Sequence, residues 1–354
     1  MKKSLFILSS VLISSVLFFS CHKTGSSAPS KQERAAIDES RKNEVIIYTY
    51  DSFVSEWGPA AQIAENFEKS TGLKATFVDC GDGLQVFSRA LLEKDSVQAD
   101  IILGLDNNTS KKAIDSGILD SYKPKDADKV ISETVSNTLG GGDYLTPYDY
   151  SHFALIFDTR SNLPEPKTLS DLTNPIYKNQ IVLMDPRTST PGLGFVAWTR
   201  AIFQNDEDFS NFWTSLKPNI LSMASSWSAG YGLFTKGEAP LVTSYTTSPA
   251  ANLEYDKINY YKALIFEEGH SIQVEGAGIL KNAPNKEGAK LFMDFLISEP
   301  AQSVLPLTQW MYPANKNVAL PDCYEKAAAI PTKTVTVSAD VLDSAVERVT
   351  SILK

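Results

Sequence analysis

Four short polar segments carry the groups that a buried, cationic, aromatic solute would need. The first is Tyr48-Thr49-Tyr50-Asp51-Ser52-Phe53, with Trp57 just beyond it, and the second is Asp82-Gly83. The third runs Asp185-Pro186-Arg187-Thr188-Ser189-Thr190-Pro191-Gly192-Leu193-Gly194, rich in hydroxyls and placed after a strand and before a helix. Free backbone N–H groups and the positive helix end gather at such a position and suit an anionic or strongly accepting group. The fourth is Ser244-Tyr245-Thr246-Thr247-Ser248-Pro249. Trp227 and Trp310 stand in polar surroundings, Ser-Ser-Trp-Ser and Thr-Gln-Trp-Met-Tyr-Pro, where an indole is expected to be wholly or partly accessible. Each feature has a plainer reading. Tryptophan and tyrosine usually pack in cores or cap them. A Ser/Thr/Pro/Gly loop is usually a turn and a helix cap, and an Asp before Gly is mostly a turn residue.

Other chemistries find fewer residues to work with. The net charge is −9 and no basic cluster is present, so nucleic acid is not an expected partner. The three histidines, His22, His152 and His270, form no metal motif, and no zinc-type cysteine spacing occurs. Neither a metal nor a cofactor is expected. Tyr260-Tyr261 with His270 would suggest ferric iron, but adjacent side chains on an extended segment point to opposite faces. Cys80 and Cys323 permit one disulfide in an oxidising compartment, though their separation gives no reason to assume it. Cys80 lies two residues before Asp82 and keeps a nucleophilic surface enzyme in view. No histidine accompanies it in the sequence, and an apolar cysteine at a strand end is commonly structural. Enzymatic activity is therefore not expected.

The elements that must position these groups begin after an export signal. Met1-Lys2-Lys3 is basic, residues 5–19 are apolar apart from serines, and Ser20 precedes Cys21. That order reads as a secretory signal over 1–20, with Cys21 as an acylated new N-terminus. Residues 21–43 read as a flexible, lipid-anchored linker. The remaining 44–354 suits two domains. Residues 45–50 form a continuous apolar, β-branched run of the kind buried on both faces of a sheet. Strands at 75–78 and 99–103 alternate with helices ending near Gly72 and Glu93, the pattern of a parallel sheet flanked by helices. A second α/β unit runs from a strand at 181–184 through helices to a strand at 239–244. Extended stretches at 145–158 and 262–279 flank it and read as crossings between lobes. Helices follow at 286–297 and 339–353. The expectation is two α/β lobes, 44–149 with 271–354 and 150–270, joined by two crossovers with a ligand cleft between them, hinging shut on a solute.

Seven motifs occur in order: Tyr48-Thr49-Tyr50-Asp51-Ser52-Phe53 with Trp57-Gly58-Pro59; Gly104-Leu105-Asp106-Asn107-Asn108; the 185–194 segment; Trp227-Ser228 with Tyr231-Gly232-Leu233-Phe234 and Lys236-Gly237-Glu238; Ser244-Tyr245-Thr246-Thr247-Ser248-Pro249-Ala250; Glu268-Gly269-His270 with Gln273-Val274-Glu275; and Trp310-Met311-Tyr312-Pro313. Together they resemble the thiamine-binding periplasmic proteins, the capture subunits of thiamine ABC transporters, over about residues 45–320. The resemblance implies a type II periplasmic binding protein fold, thiamine or its phosphates as ligand, an ABC permease as partner and a monomer outside the cytoplasm. It implies ligand contact by Asp82, Gly83, Ser189, Thr190, Trp227, Tyr245, Thr246, Thr247 and Ser248, with Trp310 and Tyr50 as further walls. Asp82 would accept from the exocyclic amine or balance the positive charge, and the Ser/Thr groups would hold the hydroxyethyl end or a phosphate. The sequence departs from the family at Ala251 and Ser271, where aromatic side chains are usual. A binding protein of the same fold for ferric iron, a polyamine or a phosphonate is the nearest alternative.

Overall fold

The computed structural model describes residues 41–354. The signal over 1–20 and the acylation site Cys21 lie outside the described residues, as does most of the linker. Its last residues belong to the body: the Arg41 guanidinium sits 3.0 Å from the buried Asp100 carboxylate, which also accepts from the Ile46 and Asn285 N–H groups. Arg41, which the linker was expected to include, is thus held against the body.

The apolar run at the start of the body becomes β1 (Glu44–Thr49), parallel to β2 (Lys74–Asp79) and β3 (Ile101–Asp106). The helix Ala60–Thr71 connects β1 to β2 and buries Ala60, Ile63 and Phe67 along one face. It stops at Gly72, whose φ of 76° places it in the left-handed region that glycine enters freely, and whose N–H reaches the Glu68 carbonyl. The helix Gly83–Leu92 connects β2 to β3. After the short β4 (Leu119–Asp120), the chain enters β5 (Thr146–Asp158), which is 13 residues long.

Strand β5 serves two sheets. Residues 146–152 pair antiparallel with β10 (His270–Leu280), and residues 153–157 pair antiparallel with β8 (Leu241–Tyr245). Beyond β10 lie β3, β1 and β2, and beyond β8 lie β6 (Ile181–Met184) and β7 (Ile220–Ala224). Each half has its own core, one around Ile47, Phe53, Phe67, Ile101 and Phe292, the other around Phe153, Leu155, Phe195, Trp198 and Trp213. Two α/β lobes with two long crossovers thus appear as the patterns predict.

The C-terminal assignment needs correction. The helix Ala339–Leu353 has the expected bounds, but Leu342, Ala345 and Val349 pack into the second core, against the helices Thr190–Ile202 and Asp206–Leu216. The chain makes a third crossing after β11 (Tyr312–Pro313), which pairs with β5. It arrives at β12 (Thr334–Val335), parallel to the start of β10, with β9 (Tyr261–Ala263) on the far half of β5. Lobe 1 therefore does not extend over all of 271–354. The apolar stripe of the last helix needs a partner, and the exposed faces of the two second-lobe helices supply it.

Leu342 is 3% exposed. Leu342→Ala is expected to lower unfolding stability by about 2–5 kcal/mol, read from urea melts of the whole chain. A loss under about 0.5 kcal/mol would make the helix a surface appendage instead.

Candidate functional site

The C-terminal ends of the parallel strands face one another across the junction of the lobes. Tyr50 follows β1, Asp82 follows β2 and Asp106 ends β3. From the other lobe, β6 leads into Ser189 and the helix Thr190–Ile202, β7 into Ser226 and the helix Trp227–Thr235, and β8 into Thr246-Thr247 and a turn of helix at Ser248. Between these ends lies a cavity with about 630 Å³ of empty space, part of it continuous with solvent. Tyr50, Ser52, Trp57, Asp82 and Gly83 wall it from the first lobe, and Thr190, Pro191, Trp227, Tyr231, Tyr245, Ser248 and Ala251 from the second. Glu275 of β10 and Gln309, Trp310 and Met311 complete it.

The aromatic walls are braced. Trp227 stacks on Tyr231, with ring centroids 4.9 Å apart at 15°, and meets Trp57 edge-on at 5.9 Å across the cleft. Its indole N–H donates to Ser244 Oγ at 2.8 Å. Tyr245 stacks on Phe153 at 5.4 Å, and its hydroxyl donates to Gln273. Tyr50 is held by Gly104: a Cβ at Gly104 would lie 2.4 Å from the Tyr50 ring, so only glycine permits this approach.

Asp82 joins the lobes. Its Oδ1 accepts from the Gly83 N–H at 2.6 Å and the Thr190 N–H at 2.9 Å, and its Oδ2 accepts from the Trp227 N–H at 2.9 Å. One carboxylate of the first lobe thus caps its own helix and also sits at the N-terminal ends of two second-lobe helices, where the backbone dipoles favour negative charge. Burial pushes its carboxyl above the ordinary range, and the three N–H donors pull it back. Ser228 Oγ donates to Asp51 in a second contact between the lobes, at 3.2 Å. Gly83 makes the approach possible, since a Cβ there would fall 2.1 Å from Thr190 Oγ1.

The floor of the cavity is acidic. Glu275 pairs in register with Asp106 of β3 on one side and Asp149 of β5 on the other. All three are buried, and directly opposed residues send their side chains to the same face. Asp106 is satisfied by Asn108 and Thr109, and burial raises its carboxyl to about 6. Glu275 accepts from the Tyr50 hydroxyl at 3.0 Å, and burial first, with Asp106 adding like charge, raises it to about 7. Neither oxygen of Asp149 meets an N–H or O–H donor. Burial and the charge of Glu275 hold Asp149 well above the usual carboxylate range, which favours its protonated form.

Of the residues singled out from sequence, Tyr50, Asp82, Gly83, Thr190, Trp227, Tyr245, Ser248 and Trp310 stand on the wall. Ser189, Thr246 and Thr247 lie behind it. The Ser189 hydroxyl has no partner at hydrogen-bond geometry, yet lies close enough to Asp82 to favour its ionised form. Thr246 and Thr247 share the Ser151 hydroxyl, and the Thr246 N–H donates to the His152 carbonyl. Trp310 is 9% exposed, which corrects its expected accessibility: it packs with Tyr312, Cys323 and Tyr324, with φ at 59°. Ala251 is on the wall, whereas Ser271 is buried away from it. Glu275, Tyr231 and Gln309 were not singled out as site residues. Glu275 stood within a quoted motif, but its role depends on pairing across three strands. Cys80 and Cys323 are unpaired, Cys80 is off the wall, and burial raises its thiol, the opposite of an activated nucleophile. Tyr260, Tyr261 and His270 are also off the wall.

Residues 97–334 match the bacterial extracellular solute-binding protein family. The chain is 40% identical over 295 residues to the thiamine-binding periplasmic protein of Brucella melitensis biotype 1, a match covering 83% of this chain and 86% of that one. Against the thiamine-binding periplasmic protein of Escherichia coli K12 it is 35% identical over 287 residues, covering 80% and 85%. A solved periplasmic thiamin binding protein aligns with a TM-score of 0.81 at 32% identity, over 88% of this chain and 96% of that one.

Two substitutions test the contact between the lobes. Gly83→Ala should hold them apart and raise the radius of gyration at saturating ligand, and adding Thr190→Ala should restore part of the closure by removing the 2.1 Å clash. Asp82→Asn turns an amide NH₂ toward backbone N–H donors and should weaken closure by about 1–3 kcal/mol. Scattering curves identical to wild type for both would show that this contact does not govern closure.

Proposed function

The chain belongs to the thiamine-binding periplasmic proteins, within the bacterial extracellular solute-binding family, and on that premise we propose that it captures thiamine between its lobes and delivers it to an ABC importer. The observation that carries the reading is the cavity itself, walled by Tyr50, Trp57, Trp227, Tyr231, Tyr245 and Trp310 and closed over by contacts between the lobes. Thiamine joins a permanently cationic thiazolium to an aminopyrimidine. Both rings suit aromatic walls, and a desolvated cation over such a face gains about 2 kcal/mol. The Thr190 and Ser248 hydroxyls, on the cavity wall, would serve the hydroxyethyl end or the phosphate of a thiamine phosphate. Asp82 serves this site mainly by holding the lobes together, because its oxygens already accept from three backbone N–H groups. Ala251 leaves room where the family usually places an aromatic, so stacking relies on Trp227 and its neighbours.

The chain works as a periplasmic solute-binding protein. We propose no catalytic residue, metal or cofactor for it, and take it to act as a monomer that presents its closed lobes to the permease. Its tether is part of the same proposal: cleavage before Cys21 and acylation of that cysteine, with residues 22–40 as the leash. Cys21→Ser should leave the protein soluble after detergent-free fractionation with its ligand affinity unchanged. Continued partition with membranes would contradict the anchor.

Calorimetric titration tests the site. Trp227→Ala should weaken thiamine binding by about 1–3 kcal/mol, comparable to other losses of aromatic stacking. Its unliganded melting temperature should fall less than that of Trp310→Ala, since the half-buried Trp227 indole stands partly on the cavity wall. Trp310→Ala should lose both affinity and stability, because that indole also packs against Tyr312 and Tyr324. Unchanged affinity in both variants, or spermidine binding in place of thiamine, would overturn the reading.

A further inference from the structure

The acidic floor of the cavity has a use beyond packing. Glu275 reaches the cavity wall, and Asp106 and Asp149 flank it on the neighbouring strands. The groups facing it are Tyr50 and Tyr148, whose hydroxyls lie 3.0 Å apart, and Tyr245 from the second lobe. After burial itself, Asp149, Asp106 and the Tyr50 and Tyr148 hydroxyls weigh most on its ionisation. Asp149 is completely buried with both oxygens lacking a donor, and Gln309 presents an unpartnered Oε1 at the same wall. Among the described residues no group of three or more acidic, His or Cys side chains could hold a metal ion.

A buried carboxylate without a cation keeps its proton or finds a counter-charge. Here the two acids cannot separate: β3, β10 and β5 form one sheet of the first lobe, so opening the cleft leaves their spacing intact. We propose that Glu275 is the counter-charge for the thiazolium of the ligand, and that binding this cation expels to solvent the proton that Glu275 carries in the free protein. Asp149 retains its own proton throughout. No covalent bond to the ligand forms or breaks; one O–H bond is lost and water takes the proton. The inference rests on the thiamine reading and adds a residue and a pH dependence to it.

The sign follows from linkage. A group that must be ionised in the complex opposes binding while it is protonated in the free protein, so affinity rises with pH through the free-protein pKa and then levels off. With Glu275 raised to about 7, thiamine affinity should climb about tenfold between pH 6 and pH 8. Proton release should fall from about one per thiamine at the lower pH to about a tenth at the higher.

The experiment is calorimetry of the full mature chain with thiamine at several pH values, in buffers of different ionisation enthalpy so that released protons are counted. Glu275→Gln should bind more weakly at the upper pH, with no pH slope and no proton release. Asp106→Asn removes the like charge that adds to burial in raising Glu275, and should move the rise in affinity to lower pH. The uncharged aminopyrimidine half of thiamine should bind wild type without pH dependence. Tight thiamine binding by wild type with a flat profile and no proton release would overturn the proposal while leaving the thiamine reading intact, as would an unmoved profile in Asp106→Asn. No thiamine binding by wild type at any pH would overturn both.

Discussion

Strand β5 has to satisfy two lobes with one backbone. Its first half pairs with β10 and its second with β8, so one continuous 13-residue strand belongs to both lobes. Buried backbone groups cannot be left unpaired, and this fixes where the lobes may separate. The same pairing sets Asp149 opposite Glu275 and carries Tyr148 to within reach of Tyr50. The acidic floor of the cavity is therefore a consequence of the crossover. It stays in place when the lobes move, because the strands that carry it belong to one sheet.

Closure uses a different physics. Across the cleft, the approaching surfaces are strand ends followed by helix starts, which expose N–H donors. A single acceptor of the opposite lobe can satisfy several of them, and Asp82 does so for the helices beginning at Thr190 and Trp227. Such charge-assisted bonds are worth about 1.5–3 kcal/mol each when buried, against the cost of removing a carboxylate from water. Burial raises the Asp82 carboxyl despite three donors, so desolvation offsets what the donors return. A contact this nearly balanced can be tipped by a ligand that adds aromatic and charge interactions on both lobes.

Much of this was legible in the sequence, and unevenly so. Continuous apolar runs announced β1 and β6 because strands buried on both faces leave no polar alternation. The crossover at 146–158 showed itself as an extended stretch too long for an ordinary strand. The helix Ala339–Leu353 was bounded correctly but placed on the wrong lobe: periodicity reveals that a helix has an apolar face and says nothing of which surface covers it. In the site, Asp82, Gly83, Thr190 and Trp227 lay in polar segments that had plainer readings, and it was the family resemblance that singled them out; the structure puts them on the cavity wall. Glu275 was not, since its neighbours Asp106 and Asp149 come from distant segments. Trp310 was misjudged because its polar sequence neighbours hid an apolar pocket made by Tyr312, Cys323 and Tyr324.

The central claim is that thiamine draws the two lobes together around the aromatic cavity. The direct measurement is the distance between one spin label on each lobe, followed by pulsed electron resonance as thiamine is added. The account predicts a broad or longer distance without ligand that converts to a single shorter one in proportion to bound thiamine. A distribution that stays unchanged at saturating thiamine, with binding confirmed in the same sample, would contradict it.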